Sequence, residues 1–306
     1  MRPSLPLLSS VAACLAACSG GLSSAFAHEF WIQPSAFRAP ANTPIDVSLM
    51  VGDGFPGEPV ARNPPRIERF DAVSLGGPHH NASTPAPTET PIDGRPGAHP
   101  AGRVMLSSVG THALVFRSNH ATVELDATKF EAYLREEGLE RIISIRRERG
   151  EADKPGREAY SRCAKALVIA GPAGGGSIEG NPDADSSDGA AKRHEVRDAP
   201  VGLTFELLLL SIDDENPASP GVTLRLRAMF AGKPLPEVSV CVRAAQQPGE
   251  KVCGVTNTSG EVSIDVAWTG TLMVSSVYMT AALPEIATRL GVDWESVWTS
   301  LTFALE

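Results

Sequence analysis

The chain has 306 residues, 42% of them hydrophobic and 21% charged, with 28 glycines and 25 prolines. This is globular composition, long enough for two small domains and too rich in turn formers for a helical bundle. A formal charge of −9 without a basic stripe argues against a nucleic-acid partner.

Residues 1–27 read as an export signal. Arg2 supplies the basic start, Leu5-Pro6-Leu7-Leu8 and residues 11–17 the apolar stretch, and Ala25-Phe26-Ala27 a small-x-small cleavage site. No later segment is long and apolar enough to span a membrane as a helix. Cleavage after Ala27 removes one arginine and no acid, so the mature chain starts at His28 with a charge of −10. Leu15-Ala16-Ala17-Cys18 offers an alternative end, because as a lipobox it would make a lipidated Cys18 the first residue. Either route places the protein in the periplasm or outside the cell. That compartment is oxidising, and the odd set Cys163, Cys241 and Cys253 leaves at least one thiol free.

The spacing predicts strands over 45–52, 66–75, 103–106, 112–117 and 122–125, separated by turn residues such as Gly52-Asp53-Gly54-Phe55-Pro56-Gly57. Residues 76–101, rich in proline and glycine and holding His79-His80 and His99, read as an exposed loop. A helical segment interrupts the strands at 127–149. Phe130, Tyr133 and Leu134, then Leu139, Ile142 and Ile143, recur at helical spacing on either side of Gly138. The apolar run 166–170 reads as a central strand, and 171–199 as a disordered excursion. The strand at 203–210 is expected to pair with 165–170 and close a first domain, 28–212.

Residues 213–221 read as the boundary, and 213–306 as a second domain. There Val222, Leu224, Leu226, Ala228 and Phe230 alternate, as do Val238, Val240 and Val242, and then Val262, Ile264 and Val266. Regular short strands at this spacing predict a β-sandwich. Residues 271–279 read as the fifth strand, and 294–300 as a short terminal helix. The fold expected is mainly β: two Ig-like or prealbumin-like sandwiches, the first with an inserted helical segment.

Two resemblances add to this. The strand ending at Phe230, Gly232-Lys233-Pro234-Leu235, Val238-Ser239-Val240, Thr256-Asn257-Thr258-Ser259-Gly260-Glu261 and Gly270 are similar to the carboxypeptidase-regulatory-like sandwich, a usually non-catalytic module. His28-Glu29-Phe30-Trp31-Ile32-Gln33-Pro34 behind a signal, followed by a β-rich body, resembles a periplasmic family of unknown-function domains associated with nickel and cobalt uptake. That resemblance implies a transition-metal accessory protein for nickel or cobalt, with a membrane metal transporter as partner; imidazole chemistry adds copper to the candidate ions.

His28 is the sharpest candidate ligand. Its imidazole and the α-amino group freed by cleavage, with a pKa near ~8, could chelate a divalent ion. Glu29 could add an oxygen. His112 falls on the face of Leu114 and Phe116, and is either a ligand or a hydrogen-bonded core histidine; His120, in the next turn, could approach the same edge. A hairpin tip at Gln247 sets Cys241 directly opposite Cys253. Antiparallel partners can stand about 4.5 Å apart, so the two are either a disulfide or a pair of buried thiols. No nucleophile elbow, P-loop, dinucleotide fingerprint or HExxH spacing occurs, so a non-enzymatic role is expected.

Overall fold

The structure, a computed structural model, describes residues 28–76, 89–172, 196–213 and 221–305. Residues 1–27, expected as an export signal and including Cys18, together with His79-His80 and the acidic stretch around Asp183, lie outside the described residues.

In chain order the strands are β1 (Glu29–Pro34), β2 (Arg38–Pro40), β3 (Pro44–Gly52), β4 (Glu58–Val60), β5 (Ile67–Gly76), β6 (Glu89–Pro91), β7 (Gly102–Met105), β8 (Gly110–Ser118) and β9 (Ala121–Leu125). A helical hairpin follows, α1 (Ala127–Glu136) and α2 (Glu140–Glu148). Asp126 caps α1 by accepting from the Lys129 N–H, and the break comes at Gly138, whose φ of 69° suits a residue without a Cβ. Then come β10 (Gly156–Gly171), β11 (Phe205–Asp213), β12 (Val222–Phe230), β13 (Lys233–Pro234), β14 (Ser239–Ala244), β15 (Val252–Val255), β16 (Glu261–Val266) and β17 (Gly270–Ala281). The chain closes with α3 (Pro284–Leu290) and β18 (Trp294–Leu305).

The fold is mainly β and built of packed sheets. A central sheet runs β15-β14-β17-β18-β10-β8-β5-β6, with β2 and β9 also paired to β10. A sheet of β1, β3, β4 and β7 covers part of one face, and a sheet of β11, β12, β13 and β16 covers the other. The side chains of β8 and β10 alternate between two cores. Leu114, Phe116, Ala164, Ala166 and Val168 pack with Phe30, Ile32 and Val47; Ala113, Val115, Cys163 and Leu167 pack with Leu207, Leu209 and Leu226. The helical hairpin builds a third core with Met279, Trp294 and Trp298.

Several expectations change. Residues 294–300 are not a helix but the start of β18, a strand paired parallel to β10 on one side and antiparallel to β17 on the other. It is buried on both faces, so its sequence lacks the period-two signal of a half-exposed strand. The helix of this region, α3, precedes it. The strand at 203–210 does not pair with 165–170, because β10 already has β18, β2, β8 and β9 along its edges. Instead β11 pairs antiparallel with β12. The segment expected as a domain boundary therefore joins two neighbouring strands of one sheet, and the central sheet draws strands from both halves of the chain. Within the loop expected at 76–101, the described part contains β6 and buries Ile92 and Ala101. At the end of the excursion expected at 171–199, Asp198 has a fully buried side chain.

Candidate functional site

The first described residue, His28, sits where three elements meet. β1 pairs antiparallel with β3, and their last partners are Glu29 and Gly52. One step further, the turn after β3 brings Asp53 to His28, and the imidazole Nδ1 is in hydrogen-bond contact with Asp53 Oδ1. The turn is held from two sides. Trp31, wholly buried, stands edge-on to Phe55 with ring centroids 5.4 Å apart, and a Cβ on Gly57 would lie 2.2 Å from Trp31 Cη2. A Cβ on Gly54 would lie 3.0 Å from Arg243 Cδ, so the turn also rests on β14.

Glu29 anchors this corner to the central sheet. Arg243 Nε and Ser275 Oγ each donate to Glu29 Oε1 at 2.8 Å. The expected oxygen ligand thus spends one oxygen on the fold, and its charge is met by a guanidinium. Its Oε2 is buried without a hydrogen-bond partner. Nearby, burial first and then repulsion from Glu29 hold the Glu137 carboxyl up at about 8, against the pull of Lys251 and Arg243.

His112 and His120 do not converge. Nε2 of His112 donates to the Ser108 carbonyl at 2.8 Å, and burial pushes the imidazole pKa down. A hydrogen-bonded neutral core histidine is the arrangement found. Ser118, at the far end of β8, is already about 20 Å along an extended strand from His112. His120 lies beyond it, with Nε2 at 2.9 Å from Glu295 Oε1. That pair lines a cleft of about 340 Å³ whose walls include Arg117, Phe230, Tyr278 and Leu283. Among the described residues, no group of three His, Cys, Asp or Glu side chains is placed to hold a metal ion.

Cys241 and Cys253 are register partners in the β14–β15 hairpin and are joined by a disulfide, with Cα atoms 4.1 Å apart. Among the described residues Cys163 is the free thiol, buried, with burial pushing its pKa up to about 11.

Asp53, a turn residue by sequence, is the partner that the fold brings to His28. The register of the two flanking strands is the signal that points to it, since extending the Glu29–Gly52 pairing by one step sets residue 28 beside residue 53. Lys165, Asp198 and Glu206 belong to no sequence motif, yet the fold gathers them in one buried cluster. Nothing local in the sequence brings these three distant residues together, although a lysine inside the apolar run leading to Ala170 is an anomaly.

Among the described residues no helix is long and apolar enough to cross a membrane. No curated protein matches this chain. Among solved structures, the D0-D1 domain of intimin aligns at 11% identity over 90% of this chain and 97% of that one, with a TM-score of 0.19. Residues 25–182, just over half of the chain and including His28, Asp53 and β1 to β10, match the family described as domain of unknown function DUF4198. The chain belongs to that family.

Proposed function

We propose that the protein is exported, starts at His28 after processing, and acts as a non-catalytic binding module for a divalent transition ion: nickel, cobalt or copper. The observation that carries this reading is the contact of His28 Nδ1 with Asp53 Oδ1 at the first residue of the folded body. Cleavage after Ala27 would add the α-amino nitrogen of the same residue. An amine with a pKa near ~8 loses its proton at small cost near neutrality. Amine and Nδ1 of one histidine close a small chelate ring, and Asp53 supplies an anionic oxygen. This donor set of two nitrogens and one carboxylate fits copper and nickel ions better than magnesium or calcium. Glu29 stays outside it, because its charge is already paired with Arg243. A partial ligand set leaves coordination positions for a receiving partner, and the family resemblance suggests a membrane metal transporter for that role.

The test begins with the mature N-terminus, determined by mass spectrometry. Calorimetric titration of nickel, cobalt and copper into the mature protein should show one tight site. His28→Ala should abolish it, and Asp53→Asn, which removes the anionic oxygen donor, should weaken it. A mature end at a lipidated Cys18, or equal affinity in all three proteins, sinks the metal reading. A protein-interaction module of packed sheets would then stand in its place.

A further inference from the structure

The most unusual chemistry in the described residues lies away from that corner, between the central sheet and the β11 sheet. The side chains of Lys165, Asp198 and Glu206 are 1%, 0% and 4% exposed. Lys165 Nζ lies 2.7 Å from Asp198 Oδ1 and 3.0 Å from Glu206 Oε1. One ammonium facing two carboxylates is a net negative charge shut away from water, which is costly in an apolar interior. The amine nitrogen lies within hydrogen-bond distance of an oxygen one bond from Asp198 Cγ, with a second carboxylate beside it, so the groups that an amide bond would join are already neighbours.

We infer that Lys165 Nζ and Asp198 Cγ become joined by an amide bond that the folded protein forms itself, with Glu206 carrying the proton. Moving one proton from the ammonium to Asp198 turns the two charged groups into a neutral amine facing a neutral carboxyl. Burial favours that state and pushes the Asp198 pKa up, although Lys165 opposes the shift. The Nζ lone pair then attacks Cγ. Asp198 Oδ2, which accepts from the Leu209 N–H at 2.9 Å, takes the negative charge of the tetrahedral intermediate. Glu206 Oε1 accepts a proton from Nζ and passes it to Oδ1, which leaves as water. One N–C bond replaces one C–O bond. Two of the three ammonium protons depart with the oxygen, the third stays on the amide nitrogen, and Glu206 ends as it began. No oxidant, reductant or cofactor enters.

The proton carrier is held in place for this. Glu206 accepts from the Val201 N–H at 2.8 Å on Oε1, and from the Gly202 and Leu203 N–H groups at 3.1 and 3.3 Å on Oε2. After condensation it is the only charge left in the cluster, and these donors remain to satisfy it. The bond would tie β10 of the central sheet to the segment leading into β11, so that two layers of the sandwich are joined covalently.

The test is an intact mass of the purified protein, with the Cys241–Cys253 disulfide reduced and the N-terminus read from the same sample. The protein should be lighter than its sequence by one water. Fragmentation should give a branched peptide linking Lys165 to Asp198. Lys165→Arg and Glu206→Gln should each restore the full mass. Full mass in the folded wild-type protein overturns the inference, whether or not the variants fold. So does a water loss that survives in Lys165→Arg, because a cyclic imide at Asp198 loses the same mass without the lysine.

Discussion

Glu137 and Glu158 show how burial at single residues shapes the response of the molecule to pH. Burial raises Glu158 to about 7, although Ser296 and Tyr133 donate to its carboxylate, and Glu137 is raised to about 8. An acid whose pKa is raised by folding binds more protons in the folded state than in the unfolded one. Its stabilising effect is complete below the unfolded value of 4.5 and is lost as the pH climbs through the folded value. His112, lowered from 6.5, acts with the opposite sign below that pH. Denaturation midpoints should therefore fall between a pH of 6.5 and about 8, and Glu137→Gln should flatten the fall. A wild-type stability that is level or rising in that window, or a Glu137→Gln protein that keeps the full slope, would contradict this assignment. At this scale the sequence was a partial guide. His28 stands out because it follows the stretch that reads as an export signal. Glu29 looked like a ligand because its partners Arg243 and Ser275 lie more than two hundred residues away.

At the scale of elements, β15 and β18 are opposite cases. β15 is short, it leaves Val252 and Val255 exposed, and it lies at the end of the central sheet. Little apolar burial holds it, so the disulfide to β14 matters. The cross-link closes a short loop, with a separation of 12 residues. Replacing both Cys241 and Cys253 with serine should lower stability by about 2–3 kcal/mol, the usual range for a loop of this order. Urea denaturation under oxidising conditions measures it, and an unchanged midpoint would show that the hairpin holds without the bond. β18 needs no such staple, because it has a neighbour on each side and burial on both faces. The same burial hid it from the sequence. Trp294, Val297 and Trp298 are apolar at a spacing that suits one face of a helix, and only the pairing with β10 and β17 makes a strand of them.

Across the whole molecule, Glu29 couples layers that the chain order keeps apart. It belongs to β1, while Arg243 and Ser275 belong to β14 and β17 of the central sheet. Glu29→Ala would leave the mostly buried Arg243 without that partner. Losing one member of such a pair typically costs about 3–5 kcal/mol, and exposure of 14% and 9% for the two side chains places this one near about 3 kcal/mol. Guanidinium denaturation of the variant, with hydrogen exchange along β1, would read it. A loss well under about 1 kcal/mol, the level of a surface pair, would mean that apolar packing alone holds the corner.

What the sequence determined by itself was local. Period-two patterns placed most strands, helical spacing on both sides of Gly138 placed α1 and α2, and the hairpin arithmetic around Gln247 set Cys241 opposite Cys253. These follow from residues close together in the chain, where side-chain direction is fixed by the backbone. What the tertiary structure decided was pairing at a distance: β10 beside β18, β11 with β12, Asp53 at His28, and Lys165 with Asp198 and Glu206. The physical reason lies in the edges and faces of the central sheet. A strand buried on both faces carries no alternation to read, and which edge it joins depends on the edges that remain open once the other strands are in place.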